Sequence, residues 1–217
     1  MTPRPRALAA LDRFNAAHPW DHNAHYHRWI LRQVPKRCAR ALDIGCGSGE
    51  LAGLLATRAQ TVIGIDADPT IVALARATAP AEGRMSFVTG DALTAVPRGP
   101  YDIVTCVAAV HHMPFGRALN LFRHHLAPGG TLVVVGVARA DTVGDHLMGA
   151  LSIPLNAAVG WLRNRGRPAP RPAAMTARTR PPVMTFAEIG DQVGAALPGA
   201  RLRRRLFWRY TLVWHAP

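Results

Sequence analysis

The chain of 217 residues is 49% hydrophobic, ordinary for a soluble protein with a sizeable core in one domain. Its three cysteines, Cys38, Cys46 and Cys106, are scattered, which excludes a disulfide framework or a cysteine metal site, and residues 7–11 are too short an apolar run for a secretory leader, so a reducing cytoplasm is expected. The net charge of +13 comes from arginine at every Lys/Arg position but Lys36, a compositional bias that does not by itself establish an acidic partner.

Leu8, Leu11 and Phe14 line one face of a first helix, and Trp29, Ile30 and Val34 mark a second. Between them, the run Trp20-Asp21-His22-Asn23-Ala24-His25-Tyr26-His27-Arg28-Trp29 is dense in histidine and aromatics, and helical spacing puts His22, His25 and Tyr26 on one face. Strand one is expected over 40–44, followed by a helix through Leu51, Leu54, Leu55 and Arg58. Strand two covers 61–65. Asp68-Pro69 reads as a helix cap followed by proline at the first helical position, and Ile71, Leu74, Ala75 and Thr78 give that helix its inner face. Strands three and four cover 85–88 and 101–107. A helix through Leu119, Phe122 and Leu126 stops at Pro128-Gly129-Gly130, ahead of strand five at 132–137. Strands that alternate with helices and read as apolar runs indicate a parallel sheet covered on both faces.

The alternation breaks over 139–184. Residues 146–162 are apolar but interrupted by Pro154 and Asn156, too few for a membrane span. A proline- and arginine-rich loop follows, carrying Arg163, Arg165, Arg167, Arg171, Arg178 and Arg180, with no acidic residue between Asp145 and Glu188. Two readings stay open for this loop and for the cluster Arg201, Arg203, Arg204, Arg205 and Arg209: a surface for an anionic partner, or solvated arginine-biased segments, the second being favoured. Thr185 and Glu188 form a capping box before a last helix through Phe186, Ile189 and Val193, and 201–214 reads as two strands.

The chemistry concentrates in Leu42-Asp43-Ile44-Gly45-Cys46-Gly47-Ser48-Gly49-Glu50, an apolar strand running into alternate glycines, with Asp66 ending the next strand. Such a turn and acid describe a nucleoside pocket at a sheet edge, the carboxylate accepting the ribose hydroxyls. Glu50 stands where a dinucleotide fingerprint needs its third glycine, and a carboxylate repels pyrophosphate. A nucleoside without phosphates therefore fits, S-adenosylmethionine (SAM) above all.

These motifs, together with Gly90-Asp91-Ala92, Tyr101-Asp102-Ile103-Val104, Val110-His111-His112-Met113 and Leu126-Ala127-Pro128-Gly129-Gly130-Thr131-Leu132, resemble the class I SAM-dependent methyltransferases over residues 39–138, and in particular the small-molecule group that includes ubiquinone and menaquinone methyltransferases. The resemblance implies a Rossmann-like α/β fold with strand order 3-2-1-4-5-7-6 and strand seven antiparallel. It implies an N-terminal helical lid (1–38), a SAM-binding core (39–138), a variable substrate-lid insert (139–184) and a last helix with an edge hairpin (185–217). It implies cofactor contacts from Gly45, Cys46, Gly47 and Gly49, from Asp66 and Ala67, from Asp91 and Ala92 toward the adenine, and from Asp43 and the Val107 carbonyl toward the methionine ammonium. A lid contact from Tyr26 to the cofactor carboxylate is expected, with His25 near the substrate. Asp91 equally suits an Asx turn, and Asp43 equally suits ordering of the loop.

Methyl transfer needs alignment, exclusion of water and, for some acceptors, a base. His111 and His112 lie where such a base would sit; packing beneath the loop is the other reading for either. One lysine rules out a Lys-Asp-Lys-Glu tetrad, no Asp/Asn-Pro-Pro-Tyr/Phe loop is present for a flipped base, and Cys106 lies inside a strand, so nucleic acid is not the expected acceptor. No metal is expected. The leading expectation is methyl transfer to an O, N or C atom of a small apolar or aromatic metabolite, with residues 146–162 lining its pocket. The alternatives are a membrane-surface enzyme acting on a lipid or quinone, and a non-catalytic SAM-binding protein.

Overall fold

A computed structural model of the chain describes residues 6–80, 83–172, 175 and 180–217. Arg178 and the side chain of Leu8 lie outside the described residues. The elements are α1 (Arg6–Ala17), α2 (Ala24–Gln33), β1 (Cys38–Ile44), α3 (Glu50–Leu55), β2 (Ala59–Asp66), α4 (Pro69–Thr78), β3 (Met85–Thr89), α5 (Ala92–Ala95) and β4 (Tyr101–Val107). A 3₁₀ turn (Val110–His112) leads to α6 (Phe115–His125), β5 (Leu126–Gly136), α7 (Val143–Arg163), α8 (Phe186–Ala196), β6 (Arg201–Arg205) and β7 (Arg209–His215). The strands form one seven-stranded sheet in the expected order, β3-β2-β1-β4-β5-β7-β6. β7 runs antiparallel to both its neighbours, and the other pairings are parallel.

Period-two alternation sends successive residues of the central strands to opposite faces. Leu42, Ile44, Val104, Cys106, Leu132 and Val134 meet Leu119 and Phe122 of α6 and Ile189 and Val193 of α8. Ala41, Ile103, Val133 and Val135 meet Ile30 of α2, Leu51 and Leu55 of α3 and Val72 of α4. Burial on both faces is why these strands are apolar without a polar alternate. Asp43 and Thr105 interrupt that pattern, both buried near the carboxyl ends of their strands.

Local signals set most element ends. Asp68 caps α4 through Thr70 N, with Pro69 behind it, and Thr185 and Glu188 form the reciprocal capping box of α8. Several boundaries differ from the sequence reading: β2 starts at Ala59, and β5 already at Leu126, which the sequence placed in the preceding helix. β1 starts at Cys38 because Asp102 Oδ2 accepts the amides of Ala39 and Arg40, at 2.9 and 2.8 Å. α3 stops at Leu55, and Arg58 instead donates to Val34 O at 3.2 Å. α2 begins only at Ala24, because Asp21 Oδ1 accepts the amides of Asn23 and Ala24 at 2.6 and 3.2 Å. His22 precedes the helix, so the expected common face of His22, His25 and Tyr26 does not form.

The largest departure is α7. The segment expected as an interrupted apolar lid is a helix of 21 residues running through Pro154. A capping box of Thr142 and Asp145 starts it. Ser152 donates to Met148 O at 2.8 Å and accepts the Phe207 amide at 3.0 Å, which ties the helix to the β6–β7 turn. α7 contributes to neither core cluster. Among the described residues no helix is long and apolar enough to cross a membrane.

Candidate cofactor and acceptor site

A cleft of about 1540 Å³ follows the carboxyl ends of the parallel strands, where ligands bind in open sheets of this kind. Gly45, Cys46 and Gly47 form one wall, with Asp43 beneath them, Asp66 and Ala67 beside them, and Asp91 and Ala92 beyond. The turn is held from β2: Ile65 O accepts the amides of Gly45 and Cys46 at 2.8 and 3.1 Å, and Asp66 Oδ2 accepts the Gly47 amide at 3.0 Å. The other Asp66 oxygen accepts the Asp68 amide at 3.0 Å. Gly45 has φ +70° and a Cβ there would run into Ala109. Gly47 has φ +52° and nothing within 4 Å on its Cβ side, so its missing side chain leaves space in the cleft.

Asp43 is buried and accepts the Thr105 hydroxyl at 2.7 Å. Burial raises its carboxyl to about 7, the Thr105 bond opposing and the Asp66 charge adding. A buried acid with so high a pKa, facing a cleft, is suited to receive a cation. Asp91 Oδ1 caps the short α5 through the Leu93 amide at 2.9 Å, so the turn-forming role foreseen for it is present while the residue also lines the cleft.

Val107, Ala108, Ala109, His111, His112 and Met113 form the opposite wall. Ala108 takes φ +50°, a left-handed conformation rare outside glycine, and donates to Val135 O at 2.7 Å. This bend aims the following turn at the cleft. The rings of His111 and His112 lie 4.1 Å apart. Burial lowers His111 to about 4, helped by His112 and Arg209, against the hydrogen bond its ring N–H donates to the Arg180 backbone carbonyl. His111 is therefore neutral near pH 7, and its buried Nδ1 has no hydrogen-bond partner. Burial and Arg180 also lower His112. Cys106 is fully buried inside β4 and burial pushes its thiol up, so it presents no nucleophile to the cleft.

Several expected site residues stand elsewhere. Gly49 packs against Phe87 and Ala75 behind the turn rather than facing the cleft. Tyr26 is buried and its hydroxyl donates to Leu206 O at 2.9 Å, which directs it to the β6–β7 turn. His25 makes edge contacts with Trp20, Tyr26 and Phe207, with ring centroids 5.7, 5.2 and 5.4 Å away, and does not line the cleft. The N-terminal residues that do line it are Asp21, His22, Asn23 and His27. No residue of α7 lines it, so the expected apolar acceptor wall from residues 146–162 is absent.

Arg139, Arg171, Arg180 and Arg209 line the cleft with Met175, Pro181, Pro182 and Trp208. Arg171 and Arg180 of the 163–180 loop are exposed and border the cleft, so both readings of that loop stay open. Arg209 is mostly buried: it donates to Asn23 Oδ1 at 3.0 Å and to Phe207 O at 3.4 Å, while its Nε has no partner. In the sequence, Arg209 was one of five clustered arginines with nothing to single it out.

A methyltransferase-domain family profile matches residues 41–130. An uncharacterized methyltransferase of Mycobacterium tuberculosis is 33% identical, over 92% of this chain and 98% of that protein. A trans-aconitate 2-methyltransferase of Streptomyces avermitilis is 33% identical over 68% of this chain and 58% of its own length. Among solved structures, the N-methyltransferase NodS of Bradyrhizobium japonicum in complex with S-adenosylhomocysteine (SAH) superposes over 98% of this chain and 100% of its own, with a TM-score of 0.58 at 18% identity. A SAM-dependent methyltransferase of Aquifex aeolicus gives a TM-score of 0.57 at 12% identity, over 96% and 98% of the two chains. With sheet order, glycine turn and near full-length similarity in agreement, the chain belongs to the class I SAM-dependent methyltransferases.

Proposed function

We propose that the cleft transfers a methyl group from SAM to an O, N or C atom of a small metabolite that carries an acidic group. The observation that supports this reading is the charge of the cleft lining: carboxylates beside the glycine turn (Asp43, Asp66, Asp91), and in the same cleft four arginines (Arg139, Arg171, Arg180, Arg209).

The region beside the glycine turn fits SAM. Gly47 leaves side-chain space open, Asp66 has remaining lone pairs for the ribose hydroxyls, and Asp43 with the Val107 carbonyl suits the methionine ammonium. Bound there, SAM supplies an electrophilic methyl on a sulfonium. The protein's own work is alignment and exclusion of water, and the neutral imidazole of His111 can take a proton from an acceptor that must lose one. An acceptor carboxylate beside His111 would raise the imidazole's pKa toward the operating range.

A wholly apolar metabolite would leave the mostly buried Arg209 with only neutral partners, Asn23 Oδ1 and Phe207 O, whereas a carboxylate offsets its charge. Met113, Pro181, Pro182 and Trp208 provide apolar contact for the rest of the molecule. The relative named as trans-aconitate 2-methyltransferase is in keeping with an acidic acceptor. The test is incubation with methyl-labelled SAM and a protein-free small-molecule extract, resolved by anion exchange. Label is expected in a retained fraction and lost with Asp66→Ala; label confined to unretained, apolar products would refute the acidic acceptor.

A further inference from the structure

α7 is amphipathic in the reverse sense. Its inward residues Asp145, Gly149, Ser152, Asn156 and Gly160 are small or polar and recur every three or four positions. They are all engaged with the body of the protein. Asp145 pairs with Arg204 at 3.2 Å, Asn156 Oδ1 takes Trp20 Nε1 at 2.9 Å and His22 Nε2 at 2.7 Å, and Gly160 lies against the His18 backbone. The outward face is apolar: Val143, Leu147, Leu151, Trp161 and Leu162 are 76, 66, 54, 48 and 64% exposed. Single exposed leucines are ordinary, but an uncovered apolar stripe along a helix of 21 residues, roughly 30 Å, marks an interaction surface.

Charge decides what covers it. Arg163, Arg165 and Arg167 follow directly at the end of α7 and are exposed. No acidic residue occurs between Asp145 and Glu188, and Asp145 is already paired with Arg204. A second copy of a chain of net charge +13 would bring the same cations against these. An anionic bilayer complements both parts: acyl chains take the leucines, headgroups take the arginines, and Trp161 sits at the helix end where the two meet. Since α7 is hydrogen-bonded to the body along its inner face and no described helix is suited to crossing a membrane, it would lie in the interface plane. The same segment continues into Arg171, Met175 and Arg180 of the cleft wall.

We propose that α7 and the arginines at its C-terminal end form a docking surface for an anionic membrane. This rests on the surface alone and is independent of the acceptor assigned to the cleft. The test is flotation of the full chain with vesicles of phosphatidylcholine containing about a third phosphatidylglycerol, against phosphatidylcholine alone. Binding is expected to the anionic vesicles only and to weaken with salt. Leu147→Glu with Leu151→Glu should lower it at least about tenfold. Arg165→Gln and Arg167→Gln should each lower it about fivefold. SAH binding by calorimetry, unchanged in all these variants, shows that they fold. Absence of binding to the anionic vesicles, or binding indifferent to the leucine changes, overturns the proposal. So does a dimer in sedimentation that the leucine changes dissociate while vesicles remain unbound, which assigns the face to a second copy.

Discussion

Asp66 joins the cleft's framework to its ligand chemistry. Its oxygens hold the Gly47 and Asp68 amides, so it shapes the glycine turn as well as facing the space beside it. Asp66→Ala should weaken SAH binding by about 1–3 kcal/mol in calorimetry, since both the turn and the ribose lose a charged acceptor. Gly47→Val should abolish binding and lower the melting temperature, because the new side chain fills cleft space and a β-branched residue is strained in the left-handed backbone. Asp43 carries a pH signature. Free, it titrates at about 7; an ammonium beside it favours its charged form. Affinity for SAH should therefore rise with pH up to about 7 and level off above, with proton release on binding below that point. Asp43→Asn should flatten the profile. Gly45, Gly47 and Asp66 were legible as a set because strand, turn and acid sit close together along the chain. Gly49, Tyr26 and His25 were not, since the partners that turn them away from the cleft, Phe87, Leu206 and Phe207, lie far off in sequence.

Among the elements, the strands and the helices α4, α6 and α8 could be read from apolar runs, 3.6-residue spacing and caps. α7 could not, because Pro154 argues against a helix interior and Thr142-x-x-Asp145 carries aspartate where the usual box has glutamate. Its inward contacts account for part of the run at 20–29: Trp20 and His22 seat α7, while Asp21, His22, Asn23 and His27 line the cleft. Trp20 is buried and donates its indole N–H to both Oδ1 and the backbone carbonyl of Asn156, so Asn156→Ala would leave Trp20 its carbonyl partner and remove the side-chain partner of His22 Nε2. The expected cost is about 1–3 kcal/mol in urea denaturation, with SAH affinity little changed, because α7 does not line the cleft. A loss of affinity comparable to that of Asp66→Ala would instead mean that the α7 seat sets the cofactor site.

For the molecule as a whole, burial lowers the pKa of His22, His25, His27, His111, His112 and His125. A group depressed in the native state takes its proton first in the unfolded chain, so stability falls as pH drops below about 6.5. Asp43, raised to about 7, acts in the opposite direction over 3.8 to 7, but it is one group against several. Urea denaturation of Asp43→Asn, which removes the largest opposing group, should therefore show lower stability at pH 5 than at pH 7.5. The sequence by itself determined the sheet, its strand order through the family resemblance, the nucleoside cradle and the methyl-transfer chemistry, because each rests on short-range patterns: alternation, glycine spacing, an acid at a strand end. Only the tertiary structure decided that four arginines line the cleft and α7 does not, that α7 turns its apolar face outward, and which of the histidines reach the cleft. Those outcomes depend on which way a side chain points once distant segments have packed, and local spacing does not encode that direction.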